Sequence, residues 1–137
     1  MNSERPNIIF IITDQQRFDT IAELGFPYME TPNLDRLAAR GTAFSNAYCT
    51  SPICMPSRAA FATGRYPHDT GYLCNATPYD GAVPSWGHRL QEAGVPVTSI
   101  GKLHYRSGEV SSGFDETLIP MHAQGGVGDL FGAIRQS

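Results

Sequence analysis

The stretch Asn7-Ile8-Ile9-Phe10-Ile11-Ile12-Thr13-Asp14-Gln15-Gln16 decides how this chain is read. Consecutive large apolar residues without polar alternation suit a strand covered on both faces, the pattern of a parallel sheet. The run gives way to Thr13-Asp14-Gln15-Gln16, so polar groups fall where such a strand ends. Downstream, Thr31-Pro32-Asn33-Leu34-Asp35-Arg36-Leu37-Ala38-Ala39-Arg40-Gly41 predicts a short amphipathic helix. Thr31 suits its N-cap, Pro32 its first position and Gly41 a left-handed stop, while Leu34, Leu37 and Ala38 share a face. Ala43 to Tyr48 reads as a short extended segment. A second helix is expected from about Pro56 to Thr63, closed by Gly64. A third is expected from Ser85 to Gly94, with Trp86, Leu90 and Ala93 on one side. Val95-Pro96-Val97-Thr98-Ser99-Ile100 reads as another strand, which its Pro places near an edge. The residues after Arg106 are rich in Gly and Ser and give no clear element.

Strands alternating with helices give an α/β layered fold. Sites in such folds gather at the carboxyl ends of strands. Asp14 after the first strand and Lys102-Leu103-His104 after the last are therefore expected to line one crevice.

The chain has 137 residues, 41% of them hydrophobic, enough for one domain with a core. Its net charge of -3 and its ten scattered Lys and Arg make no basic patch, so no nucleic-acid partner is expected. No apolar run approaches the length of a membrane span, so no membrane partner is expected either. Met1-Asn2-Ser3-Glu4-Arg5-Pro6 lacks the features of a signal peptide, and a cytoplasmic location is expected. Three cysteines without C-x-x-C spacing make neither a disulfide framework nor a zinc site. Cys49 and Cys74 read as small buried hydrophobes.

The chemistry concentrates around Cys54. The turn-forming Ser51-Pro52-Ile53-Cys54-Met55-Pro56-Ser57 leads into a helix. A helix start offers free N–H groups and a positive dipole end, which suit an anion. Arg58 adds a planar cation suited to a tetrahedral oxyanion. On the residues alone two readings stand: a catalytic or anion-binding Cys54, or a buried Cys beside a surface Arg.

Cys54-x-Pro56-x-Arg58, continued by Ala59-Ala60-Phe61-Ala62-Thr63-Gly64-Arg65, resembles the signature of the sulfatase family. The resemblance implies that Cys54 is oxidised to formylglycine by a maturation enzyme. The hydrated aldehyde then offers one hydroxyl to attack sulfur, and the other helps expel sulfate. Arg5 to Gln15 is similar to the family's first strand and metal-binding carboxylate. This implies Asp14, Gln15 and Cys54 as ligands of a divalent cation, Ca2+ ahead of Mg2+ or Mn2+. Gln15 stands where many relatives have a second Asp; its amide oxygen can coordinate but lowers the ligand charge. The helix at Thr31 to Leu37 matches a family element that packs rather than reacts. Gly101-Lys102-Leu103-His104 resembles the family's G-K-x-H element, which implies that Lys102 and His104 hold the sulfate oxygens. The pair argues against the phosphonate monoester hydrolase branch. Asn75 is either a substrate contact, as the resemblance implies, or a turn residue. His68, in Tyr66-Pro67-His68-Asp69-Thr70-Gly71, reads as structural. Gly113-Phe114-Asp115-Glu116 resembles the family's G-F-D-E. Met121-His122 and Gly126-Val127-Gly128-Asp129-Leu130 hint at choline-sulfatase-like bacterial members.

The resemblance implies the N-terminal portion of an alkaline-phosphatase-like layered fold, a mixed sheet flanked by helices. Residues 1–137 are then the N-terminal fragment of a catalytic domain. A Ca2+ site needs about six to eight oxygen donors; Asp14, Gln15 and residue 54 supply too few. The complete enzyme is expected to hydrolyse a small sulfate ester and the isolated chain to be inactive. Two alternatives remain: a phosphate or phosphonate ester hydrolase of the same superfamily, or a non-catalytic fragment that self-associates through open sheet edges.

Overall fold

The computed structural model describes residues 6–122. The chain divides into two units, Met1–Ala47 and Tyr48–Ser137.

In the first unit the run from Asn7 to Ile12 does not form the expected strand. No sheet ladder includes it, and Ile8 and Ile9 are 86% and 85% exposed. A strand exists only through pairing and coverage, and an apolar pattern supplies neither by itself. Two single 3-10 turns follow, Phe18–Thr20 and Ala22–Leu24. Helix α1 (Pro32–Arg40) then forms where expected. Thr31 holds the N-cap position, but its hydroxyl does not bond its own helix amides. It accepts the Ala22 N–H at 2.8 Å and donates to the Asp35 carboxylate at 2.8 Å. Asp35 also accepts the Glu23 N–H at 3.0 Å, so α1 is tied to the preceding turn. Gly41 is extended (φ -129°), not left-handed: its N–H closes on Ala38 at 3.3 Å and the chain leaves straight. Leu34 and Ala38 are half-buried, whereas Leu37 is exposed. The segment from Ala43 to Tyr48 forms no strand.

In the second unit, α2 (Cys54–Thr63) begins two residues before the expected Pro56. Ile53 takes the extended backbone of an N-cap, so Cys54 is already the first helical residue. Gly64 ends the helix in the left-handed region (φ 66°) with its N–H on Ala60 at 2.8 Å. The buried face of α2 is Met55, Pro56, Ala59, Ala60 and Ala62; small side chains let neighbours approach its backbone closely. The single turn α3 (Pro67–Thr70) carries His68, whose ring stacks on Tyr66 at 5.5 Å. Helix α4 (Trp86–Glu92) starts with a capping box in which Ser85 and His88 satisfy each other's backbone amides. His88 Nε2 meets Ser111 Oγ at 2.9 Å, and Ser85 Oγ donates to the Ser112 carbonyl at 3.1 Å. The loop before the last strand is thereby clasped to the start of α4.

Strands β1 (Thr98–Lys102) and β2 (Glu116–Met121) pair in parallel, Thr98 with Glu116 and Ile100 with Leu118. Strand β1 starts three residues later than expected. Pro96 has no N–H to give a ladder. The Val97 N–H goes to the Asp115 carboxylate at 2.6 Å and its carbonyl accepts the Asp115 N–H at 2.8 Å. Strand β2 lies in the tail that gave no element by sequence. Helices with a parallel sheet make the fold α/β, as expected, and the sheet of the described residues has two strands. No helix among these residues is long and apolar enough to cross a membrane. Gly126 to Leu130 lies outside the described residues.

The core of this unit is Ala59, Ala62, Tyr72, Tyr79 and Tyr105, flanked by Val83, Leu103 and Phe114. Tyrosine rings meet edge-on, Tyr72 with Tyr79 at 5.5 Å and Tyr79 with Tyr105 at 4.7 Å. Such pairs add about 1 kcal/mol each beyond burial. Two of the tyrosine hydroxyls are paired: Tyr79 donates to the Val83 carbonyl and Tyr72 to Asp80, both at 2.5 Å. Burial, then the Asp80 bond, pushes the Tyr72 hydroxyl up to about 12. Asp80 also lies 3.4 Å from Arg106. Neither remaining cysteine is the buried hydrophobe expected, since Cys49 is exposed and Cys74 half-buried. Cys74 sits in a turn whose amides bond Thr77 instead of packing into the core.

Gly113 is left-handed (φ 79°), and a Cβ there would lie 2.3 Å from the His88 backbone nitrogen. Gly113→Ala should therefore destabilise by about 2–4 kcal/mol in denaturant unfolding; a change below about 0.5 kcal/mol would contradict the close contact. The Tyr72 hydroxyl, chiefly, holds the Asp80 carboxyl below its ordinary value. A lowered native pKa gives stability that is present above the ordinary carboxylate range and lost as pH falls through the native value. Asp80→Asn should lower the thermal midpoint at neutral pH and lose less of it on acidification below about pH 4. An unchanged acid limb would refute that assignment.

Candidate active site

The centre of the site is the first turn of α2. Cys54, half-buried, is its first residue. Ile53 at the N-cap has no polar side chain to accept an amide, and Pro56 at the third position has no N–H to satisfy. The Met55 N–H is taken by Asn75 Oδ1 at 3.1 Å. The Ser57 N–H closes on Ile53 at 2.9 Å. The cluster of free amides is thus thinner than the sequence suggested. Asn75 lies in a turn, and from there its side chain caps the helix.

Arg58 lies one turn after Cys54, half-buried. Its Nη1 donates to the backbone carbonyl of Lys102 at 2.5 Å. Lys102 is the last residue of β1, so this bond ties the start of α2 to the carboxyl end of the strand. His104 follows, 2% exposed, and its N–H donates to the Met121 carbonyl at 2.8 Å. Its φ of 59° is left-handed. A non-glycine residue there costs about 1 kcal/mol or more and persists where its surroundings over-determine it. Burial and the bond to the end of β2 do so here. Tyr105 packs behind, and burial pushes its hydroxyl well above the ordinary tyrosine range, with Tyr79 adding to the effect and the Arg58 charge opposing it.

One unit thus carries Cys54, Arg58, Asn75, Lys102 and His104, with Arg58 bridging the helix and the strand end. Asp14 and Gln15 belong to the first unit, at an exposed bend. Among the described residues no group of three or more His, Cys, Asp or Glu gathers as a metal site. One carboxylate, one amide oxygen and one sulfur fall short of the oxygen shell that Ca2+ or Mg2+ needs. The residues described therefore do not make a complete cation site.

Sequence reasoning missed the carboxylate of Asp115, which secures Val97 ahead of β1, and the ring of Tyr105. Asp115 carried a signal, being a short side chain after a Gly-Phe pair; Tyr105 carried none, since the tyrosines follow no period.

Comparison with known proteins gives a consistent result. The sequence model of the sulfatase family matches residues 6–131. The chain is 35% identical over 118 residues to a choline-sulfatase of Rhizobium meliloti, covering 86% of this chain and 23% of that protein. It is 37% identical over 125 residues to an N-acetylglucosamine-6-O-sulfatase of Bacteroides thetaiotaomicron, covering 90% of this chain and 22% of the relative. Human N-acetylgalactosamine-6-sulfatase is 38% identical over 128 residues, covering 81% and 24%. A protein solved in complex with its substrate D-glucosamine-2-N,6-O-disulfate superposes with a TM-score of 0.75 at 32% identity. That match covers 89% of this chain and 24% of the other. The chain spans about a quarter of the length of these relatives.

The Arg58 bridge is directly testable. Arg58→Met keeps the length of the stem and removes the donor, leaving the half-buried Lys102 carbonyl without it. It should cost about 1–3 kcal/mol of stability in denaturant unfolding. Stability equal to the wild type would mean that the bridge holds nothing.

Proposed function

The chain belongs to the sulfatase family, and on that premise we propose that the protein carrying it hydrolyses a small sulfate ester with residue 54 as nucleophile. The observation that supports this best is the bond from Arg58 to the Lys102 carbonyl, which sets the Cys54 helix against the end of the Lys102–His104 element. A helix start, an arginine and a lysine then converge on a tetrahedral anion.

The reading takes Cys54 as the precursor of formylglycine, made by a maturation enzyme, whose hydrated aldehyde supplies the attacking hydroxyl. Arg58 holds the oxygens around residue 54 while its Nη1 stays on the Lys102 carbonyl. Lys102 and His104 neutralise the sulfate oxygens as charge builds on the leaving side. Asn75 has its oxygen committed to Met55, so toward an ester it acts as a donor through its amide nitrogen. Asp14 and Gln15 would offer oxygen donors to a divalent cation, which would polarise a sulfate oxygen. The relatives are named for choline and for two amino sugars, so the part of the substrate proposed in common is the sulfate ester.

The test uses the full-length protein co-expressed with a maturation enzyme. A sulfate ester should turn over well ahead of the matching phosphate ester, and the residue-54 peptide should carry the mass of an aldehyde in place of a thiol. Cys54→Ala should lower turnover by on the order of 10^3-fold or more while leaving the fold intact. Retained turnover in that variant would sink the nucleophile assignment, and preference for the phosphate ester would sink the substrate class. Residues 1–137 by themselves should show no turnover.

A further inference from the structure

We infer that Asn75 is the positioning residue for residue 54, acting as the N-cap that helix α2 lacks in its own sequence. The inference rests on the reading of residue 54 as the nucleophile for its catalytic consequence, but not for its structural one.

A helix start leaves backbone amides without intrahelical acceptors. These normally find the side chain of a Ser, Thr, Asp or Asn at the N-cap. Here the N-cap is Ile53, which has no acceptor, and no side-chain bond closes the turn from within. Pro56 removes one amide from the problem, because it has none. The Met55 amide remains, on a residue that is 2% exposed and so shielded from water. Asn75 Oδ1 supplies the missing acceptor at 3.1 Å, from twenty residues further along the chain. The orientation of the Asn75 side chain is forced. A backbone N–H can only donate, so the atom facing it must be the oxygen and not the amide nitrogen.

Position makes the bond consequential. It falls on the residue next to Cys54, inside the same turn, so it sets the backbone from which the Cys54 side chain projects. Without it the first turn frays, and fraying there moves Cys54 relative to Arg58, which the Lys102 carbonyl holds in place one turn later. A misplacement of about 1 Å at a reacting group lowers rate by on the order of 10^2-fold. Asn75 thereby adjusts the nucleophile through the helix and not by touching the ester with its oxygen.

The two roles of this side chain separate by chemistry. Asn75→Ala removes the acceptor and the donor together. Asn75→Asp keeps an acceptor for Met55, and its negative charge suits a helix start; it loses the NH2 donor and repels an anionic ester. Hydrogen–deuterium exchange over residues 53–63 and steady-state kinetics on a sulfate ester are measured on the full-length protein. Asn75→Ala should speed exchange in the first turn of α2 about fivefold, the loss expected for one N-cap, and lower kcat at least about tenfold. Asn75→Asp should keep wild-type exchange and most of kcat, with the damage appearing as a raised KM. Wild-type exchange in Asn75→Ala, or a kcat in Asn75→Asp as low as in Asn75→Ala, would overturn the inference. Should Asn75→Ala not fold, fast exchange in Asn75→Asp would overturn it and wild-type exchange would support it. Should the full-length wild type fail to turn over sulfate esters, the functional reading fails, and the exchange comparison still decides whether Asn75 caps α2.

Discussion

The hydrogen bond from the Arg58 guanidinium to the Lys102 carbonyl joins the two backbone ends on which the site depends. A helix and a strand pack with freedom to slide unless something directional fixes them. Apolar contact is not directional, and the face that α2 buries is mostly alanine. A charged donor on a carbonyl at 2.5 Å supplies the direction. It ties α2 to the last residue of β1, and two residues on His104 turns left-handed with its N–H on the Met121 carbonyl.

Around that bond several polar groups of the unit find their partners from afar. Ile53 cannot cap α2, so Asn75 does. Val97 precedes the ladder, so Asp115 stands in for a strand neighbour. The Ser85 and His88 capping box extends to Ser111 and Ser112, which fixes the loop that delivers β2. Gly87 and Gly113 permit this because their backbones meet closer than any Cβ allows. The core built of tyrosines and alanines works by the same rule: the Tyr72 hydroxyl finds a carboxylate and the Tyr79 hydroxyl a carbonyl.

The candidate site was legible in the sequence to the extent that its chemistry is local. Cys54, Pro56 and Arg58 lie within one helical turn of each other, and Lys102 and His104 are two apart, so a linear motif carries them. Helix stops at Gly64 and Gly94 were equally legible, since a positive φ is costly for any other residue. The role of Asn75 was not legible, because its partner is a backbone amide twenty positions away. Nor was β2, whose residues acquire strand geometry only when β1 offers a ladder.

The sequence by itself determined the family and the helices that carry their own start and stop residues, because each depends on residues near in the chain. Tertiary structure decided which apolar runs become strands. Ile8 to Ile12 has the stronger strand composition, and Glu116 to Met121 the weaker, yet the second pairs and the first does not. Strand formation is a property of two segments, and hydrogen bonds between them cannot be read from either one.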